Sequence, residues 1–130
     1  MTDRQLVSSG SYLEPIIGFS RAVRVGNFIA VGGTAPIAVA GGTAAKGDVY
    51  GQARRCFEII DKALDDAGAG FEHVVRTRVI LTDMAMWGEA SKAHAEIFAA
   101  IRPVTTVMAV SGFVDPDWLI EIEVDAILPA

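Results

Sequence analysis

The last strand-like segment of the chain, Leu119–Leu128, alternates between apolar and acidic side chains over residues 120–126. Its acidic residues stand at every second position, at Glu121, Glu123 and Asp125. The positions between them are apolar: Ile120, Ile122, Val124 and Ala126. A period of two predicts a β-strand with one face on a core. The row of acids on the other face predicts a contact with basic groups, a partner chain or a ligand.

Four other segments carry strand signals. Residues 22–25 and 28–31 are β-prone, and the Gly26-Asn27 pair between them favours positive φ, so they are predicted to form a hairpin. Residues 74–81 and 104–110 are rich in β-branched side chains and predict two more strands. A short additional strand is predicted near Leu6 and Val7. The small residues of 32–47 predict a loop of the kind that often borders a site.

Two stretches show the three- and four-residue spacing of an amphipathic helix. The first begins at Asp48 as N-cap and ends at Gly68 as C′. Its apolar positions are Ala53, Cys56, Phe57, Ile60, Ala63, Leu64 and Ala67. The second follows Asp83 as cap and stops before Pro103. Its apolar side is predicted to contain Trp87, Ala90, His94, Ile97, Phe98 and Ile101.

The resulting order, β-β-α-β-α-β-β, predicts an α+β fold with one mixed sheet and both helices on one face, in a single domain over residues 1–130. The opposite face of the sheet then lacks cover within one chain. It carries the acids together with Arg76 and Arg78, and association of chains through this face is predicted.

Composition narrows the choice of partners. The chain is 52% hydrophobic and 21% charged. This hydrophobic fraction is high for a small monomer and is consistent with an oligomer interface. Its net charge is −5 and its eleven basic residues are not clustered, which argues against nucleic acid. The first five residues lack a signal-peptide pattern, and no apolar run approaches the ~20 residues that span a bilayer. We therefore expect a soluble, cytoplasmic protein with no membrane contact.

Most chemistry-bearing residues have a structural interpretation. His73 and His94 are far apart, and the single Cys56 cannot complete a metal-ligand set with them. Cys56 is interpreted as a buried thiol, with a reactive thiol as the alternative. His94 is interpreted as a packed core or interface histidine, with an acid/base role as the alternative. Trp87 and Trp118 are interpreted as packing residues.

Glu121 has two interpretations. A carboxylate held on a strand at an oligomer interface is partly desolvated, which would raise its pKa and suit a general acid or a group that orients water. Alternatively, all three acids form structural salt bridges at the interface with Arg76, Arg78 or Arg24. Glu123 and Asp125 are assigned to the second interpretation.

The chain resembles the RidA (YjgF/YER057c/UK114) family in an ordered set of motifs that spans nearly its whole length. The motifs are Gly26-Asn27, Gly32-Gly33-Thr-Ala-Pro36, Arg102-Pro103 and Ile120-Glu-Ile-Glu123. The resemblance implies a chorismate-mutase-like subunit in a homotrimer, with a small-molecule ligand in each of three clefts between subunits. It also implies a cofactor-free hydrolysis of 2-iminobutanoate or 2-iminopropanoate to a 2-oxo acid and ammonia.

Carried over by position, the resemblance makes Glu121 the residue that orients water and Gly33 the backbone contact of the ligand. The arginine that binds the substrate carboxylate in the family is replaced by Thr105. Three further ligand positions fall on Phe19, Ser91 and Val107. Loss of the arginine removes a charge-assisted pair worth roughly 1.5–3 kcal/mol, so an anionic imino acid is expected to bind ten- to hundredfold worse.

Two hypotheses follow. The chain is a hydrolase of a small imine, enamine or related C–N compound in which Glu121 activates water and Thr105 or Ser91 contacts the substrate. Alternatively, it is a non-catalytic trimer that binds a metabolite or regulates a partner. Whether Arg102 compensates for the missing arginine is left open. A ribonuclease is disfavoured by the acidic charge and the absence of a His or Lys acid/base pair.

Overall fold

A computed structural model describes residues 3–130 and contains six strands and two main helices. The elements in chain order are β1 (Arg4–Val7), β2 (Ala22–Val25), β3 (Phe28–Thr34), α1 (Val49–Asp66), β4 (Val74–Leu81), α2 (Trp87–Phe98), β5 (Val104–Ala109) and β6 (Ile120–Ile127). Single helical turns lie at Glu14–Gly18, Phe71–His73 and Met84–Met86. The predicted α+β order is confirmed, including the short strand near Leu6. The assignment of residues 1–130 to one domain stays a prediction.

The strands form one mixed sheet in the order β1-β2-β3-β6-β4-β5. Only the β4–β5 pair is parallel, and β6 lies at the centre between β3 and β4. The apolar row of β6 is buried in the core with the apolar side of α1 and with parts of α2. Both helices therefore cover one face of the sheet, as the sequence predicts.

The uncovered face, here called the open face, carries the acids of β6. Arg78 Nη1 lies 3.1 Å from Glu123 Oε1, and Arg76 Nε lies 3.6 Å from Asp125 Oδ2. The predicted ion pairs thus form across neighbouring strands of one chain. Arg24 does not take part: it points to the helical side, where its Nη1 donates to the Ala67 carbonyl oxygen at 2.7 Å. That hydrogen bond serves the carboxyl end of α1.

The predicted limits of α1 are confirmed at both ends. Asp48 caps the helix by accepting a hydrogen bond from the Gly51 amide at 3.1 Å, and Gly68 follows the helix with a φ of 87°. Cys56 is fully buried, and burial raises the pKa of its thiol, in agreement with a packed rather than a reactive cysteine.

The apolar side of α2 differs from the prediction at its first residue. Asp83 caps the short turn Met84–Met86 by accepting from the Ala85 amide, so α2 begins at Trp87. Trp87 is 59% exposed in one chain, so it does not pack in the core of that chain as the other apolar positions of the helix do; its interpretation as a packing residue stays a prediction. Among the residues described, no helix combines the length and apolarity needed to cross a membrane. The cytoplasmic localisation stays a prediction.

A buried amide joins α1 to the segment before β6. Gln52 is fully buried, its Nε2 donates to the Asp117 carbonyl oxygen at 3.0 Å, and its Oε1 accepts from the Leu119 amide at 2.8 Å. These two bonds supply partners for partly buried backbone groups and satisfy both ends of the buried Gln52 amide. They also hold Trp118, which lies between them in the chain.

Replacing Gln52 with Leu should lower the free energy of unfolding by about 1–3 kcal/mol, because the partly buried backbone groups of Asp117 and Leu119 lose the partner that Gln52 provides. Urea denaturation measures the change. Gln5→Leu is the matched control, since the Gln5 amide bonds to the Asp66 carbonyl in an exposed position. Equal stability of the two variants would contradict the role given to Gln52.

Candidate functional site

A bulge in the sheet lies beside Glu121. The register between β3 and β6 pairs Val31 with Val124 but Thr34 with Ile122, so β3 contains one extra residue between Val31 and Thr34. The sequence predicts that the strand ends at Val31 and that a loop begins at Gly32. This boundary is wrong, because Gly32 and Gly33 form the bulge and the strand resumes at Thr34.

Gly33 allows the carboxylate of Glu121 to approach the backbone of β3. A Cβ atom at position 33 would lie 2.7 Å from Glu121 Oε1, closer than non-bonded atoms approach. Glu121 is partly buried and takes no part in the ion pairs found among residues 3–130. The structure therefore separates Glu121 from Glu123 and Asp125, which are paired.

Arg21 is a site residue that the sequence analysis missed. Its side chain is only 5% exposed, and its Nη2 donates to the Gly33 carbonyl oxygen at 2.7 Å. Its guanidinium carbon lies 5.5 Å from the centre of the Phe19 ring, within range of a cation–π contact. Gly33 is thus in contact with both Arg21 and Glu121.

These side chains border a cavity of about 340 Å³. Its polar side includes Arg21, Gly33 and Glu121, and Trp118 lies in the same wall. Leu13, Ile17, Phe19 and Val114 contribute apolar surface. The volume suits a small molecule. Three of the residues predicted for the site therefore come together in one chain: Phe19, Gly33 and Glu121.

The electrostatics of the cavity couple Glu121 to Arg21. Burial raises the pKa of Glu121; the positive charge of Arg21 opposes this shift, and the negative charge of Glu123 adds to it. Burial also lowers the pKa of Arg21, while Glu14 and Glu121 favour its charged form. A guanidinium keeps its charge at neutral pH, so the cavity contains a fixed cation beside a carboxylate that holds its proton more tightly than usual.

The other predicted ligand positions lie on the helical side of the sheet. Thr105 is paired in register with the buried Thr77, and their Oγ1 atoms are 2.8 Å apart. Thr77 Oγ1 is also 2.8 Å from His94 Nε2. Burial lowers the pKa of His94, whose ring packs against Phe98 with 4.7 Å between the ring centres. The packed-histidine interpretation is thus confirmed, with a hydrogen bond in addition.

Ser91 and Val107 belong to the same side as Thr105. Ser91 lies one helical turn before His94 on α2, and Val107 is 38% exposed two residues after Thr105 on β5. None of these three residues borders the Glu121 cavity of the same chain. Arg102 is exposed, has a φ of 58° and is not part of the cavity wall either.

Comparisons with known proteins agree on one family. The sequence profile of the family described as Endoribonuclease L-PSP matches residues 9–128. A crystal structure of a YjgF/YER057c/UK114 family member from Mycobacterium tuberculosis has 40% identity and a TM-score of 0.87, covering 97% of this chain and 100% of that chain. An uncharacterised protein of Streptomyces coelicolor is 40% identical over 127 residues, which are 92% of this chain and 89% of its own. A 3-aminoacrylate deaminase, RutC, of Acinetobacter baylyi is 31% identical over 108 residues, 83% of this chain and 85% of its own.

Gly33→Ala should displace the Glu121 carboxylate while changing the free energy of unfolding by less than about 1 kcal/mol. The clash involves the end of a flexible side chain, and alanine restricts the unfolded chain more than glycine does. Titration of the Glu121 carboxyl by NMR should show a pKa closer to that of an exposed glutamate. Gly112→Ala is the control, because a Cβ at that position meets nothing within 4 Å.

Glu121 should make stability depend on pH in a defined direction. Its pKa is higher in the folded than in the unfolded chain, so the contribution of Glu121 to the unfolding free energy falls as the pH rises from about 4.3, the unfolded value, through the folded pKa. Glu121→Gln does not titrate, and its stability relative to wild type should increase over the same window. Urea denaturation at a series of pH values tests this, with the exposed Glu89→Gln as a charge-matched control. A difference that does not vary with pH would contradict the raised pKa.

Proposed function

The chain belongs to the Endoribonuclease L-PSP family, of which the YjgF/YER057c/UK114 proteins are members, and on this basis we propose that it is a cofactor-free hydrolase of a small imine or enamine. The relative from Acinetobacter baylyi is named for the deamination of 3-aminoacrylate, an enamine that bears a carboxylate. The proposal extends that type of reaction, the release of ammonia from a C–N compound, to this chain.

The observation that carries the proposal is the environment of Glu121. Its carboxylate lies against Gly33 in a largely apolar cavity, makes no ion pair in the described chain and has a raised pKa. A carboxylate of this kind accepts a proton from water more readily than an exposed one. By contrast, Glu123 on the same strand is neutralised by Arg78.

In the proposed reaction Glu121 accepts a proton from water while the water oxygen bonds to the imine carbon. The C=N double bond becomes single, and its electron pair stays on nitrogen. The proton held by Glu121 then passes to nitrogen. Glu121 then takes the hydroxyl proton and passes it to the nitrogen while the C=O bond forms and the C–N bond breaks, so the products are an oxo compound and ammonia. No redox change occurs, so the carboxylate and one water molecule suffice.

We further propose that the chains assemble as a homotrimer through the open face. That face exposes large apolar side chains next to its ion pairs, at Leu6, Phe28, Val104 and Ile127. Phe28 and Ile127 are directly paired in the sheet, and large apolar side chains exposed beside ion pairs are characteristic of interfaces. In such an assembly the Thr105 side of one chain can border the Glu121 cavity of its neighbour, which would bring together the two groups of predicted ligand residues.

A second candidate function is the binding of a metabolite without turnover. It is favoured by the neutral Thr105–Thr77–His94 group, which occupies the position of the family's charged arginine. A binder would gain thermal stability with a ligand and leave that ligand chemically unchanged. The name of the family describes an endoribonuclease, but the Glu121 cavity is bordered by neither His nor Lys, and the chain has a net charge of −5.

Glu121→Gln should reduce the hydrolysis of 2-iminobutanoate by about 10²–10⁴-fold, because the amide cannot take a proton from water. The imine is generated in the assay, and ammonia release is measured above the uncatalysed rate. Glu123→Gln is the matched control on the same strand and should retain most of the activity. Size-exclusion chromatography checks that both variants keep the wild-type oligomeric state. A full rate in Glu121→Gln would contradict the proposed role of the carboxylate.

A further inference from the structure

A surface loop of residues 8–20 forms one side of the Glu121 cavity. Its ends meet where the Arg21 amide donates to the Val7 carbonyl oxygen at 2.7 Å, next to the Val7–Ala22 pair of β1 and β2. None of the residues of this loop is buried. Its hydrogen bonds within the described residues 3–130 all run inside the loop. These are the properties of an Ω-loop, a compact loop of roughly 6–16 residues that packs on itself.

Glu14 stabilises this loop from within. Its carboxylate accepts hydrogen bonds from the Ser8 hydroxyl at 2.7 Å, from the Ser9 amide and the Ser9 hydroxyl at 3.0 Å each, and from the Ser11 amide at 3.2 Å. Burial would raise the pKa of Glu14, but these bonds favour the ionised carboxylate and lower the pKa below its usual value. Because no side chain of the loop is buried, this one carboxylate holds most of the loop in a single shape.

The loop supplies apolar side chains to the cavity. Leu13, Ile17 and Phe19 all border it. The Phe19 ring also lies over the guanidinium of Arg21, with 5.5 Å between the guanidinium carbon and the ring centre. The carboxyl end of the loop is thus held against the sheet, whereas the position of Leu13 and Ile17 depends on the shape of the loop itself.

We propose that Glu14 is a positioning residue for the Glu121 cavity: it holds Leu13 and Ile17 in the cavity wall, where they bind the apolar chain of the substrate. The assignment rests on the proposed hydrolase function and adds to it a residue that contacts no reacting atom. A ligand with a longer apolar chain gains affinity from this wall only while the loop keeps its shape. Glu14 sets the fraction of molecules in which the wall is in place, and the affinity falls in proportion to that fraction.

Amide hydrogen exchange tests the role of Glu14 in the loop directly. The amides of Ser9 and Ser11 donate to Glu14, and these bonds slow their exchange in the wild-type protein. Glu14→Ala should raise both exchange rates about tenfold or more, the equivalent of a lost hydrogen bond, while the amides of β6 keep their wild-type rates. Glu14→Gln retains one acceptor oxygen and should give intermediate rates. Unchanged exchange in Glu14→Ala would overturn the proposal.

Two oxo acids that differ only in chain length test the cavity wall without requiring turnover. 2-Oxohexanoate has two more methylene groups than 2-oxobutanoate, so isothermal titration should show that it binds the wild-type protein about tenfold more tightly. In Glu14→Ala the ratio of the two affinities should fall toward one, because the displaced wall no longer contacts the added methylenes. A defect elsewhere in the protein would weaken both acids alike and leave the ratio unchanged.

Two neighbouring isoleucines of the loop provide a matched control. Ile17→Ala removes a side chain of the wall and should lower the affinity ratio as Glu14→Ala does. Ile16→Ala removes the same groups from a side chain that does not border the cavity, and it should keep the wild-type ratio. The two side chains are 62% and 73% exposed, so both variants should fold and carry the test where Glu14→Ala does not. In the Glu14→Ala background, Ile17→Ala should lower the ratio little further.

The outcomes separate this proposal from the hydrolase function. An affinity ratio that depends on Glu14 and Ile17, with no hydrolysis of 2-iminobutanoate, supports the positioning role and overturns the hydrolase. Hydrolysis with a ratio that Glu14→Ala leaves unchanged overturns the positioning role alone, and so do equal effects of Ile16→Ala and Ile17→Ala. Equal affinity of the wild-type protein for the two acids, or binding of neither at millimolar concentration, also overturns it.

Discussion

The pairing of β6 with β3 on one side and β4 on the other is the interaction on which the rest of the structure depends. Because β6 alternates strictly, a slip of one residue would turn three carboxylates into the core and four apolar side chains out of it. The register is therefore strongly specified. Once it is set, the two helices must cover the apolar row, and the acids must lie on the open face. Glu121 then lies at the end of that face, next to the bulge of β3.

Elements with local signals could be predicted from the sequence. The Gly26-Asn27 turn, the Asp48 cap and the β-branched run of β4 each determine structure over a few residues. Features that depend on distant contacts could not. Gly32 and Gly33 are poor strand formers, and β3 continues through them because β6, about ninety residues later, supplies the hydrogen-bonding partner. Trp87 fits a helical pattern, but the turn that precedes α2 leaves it outside the core.

The residues of the candidate site also differ in whether the sequence could predict them. Alternation and family resemblance suffice to select Glu121 and Gly33. Arg21 gives no such signal, because an arginine before a strand is usually a solvated residue. Only the register of the hairpin, which brings Arg21 opposite Gly32, and the burial of its guanidinium reveal a role. The hydrogen bonds of Thr105 likewise depend on Thr77 and His94 from two other elements, which no sequence pattern connects.

The sheet itself limits how these residues can act together. Glu121 lies on the open face and Thr105 on the helical side, so in one chain the strands separate them. A ligand beside Glu121 can therefore contact only the Thr105 of a neighbouring chain, and not the Thr105 of the same chain. Thr105, Thr77 and His94 form one hydrogen-bonded group on the helical side of the sheet. Because the pKa of His94 is lowered, this group is uncharged near neutral pH and offers hydrogen bonds but no cation. The cation in the wall of the Glu121 cavity is instead the buried guanidinium of Arg21.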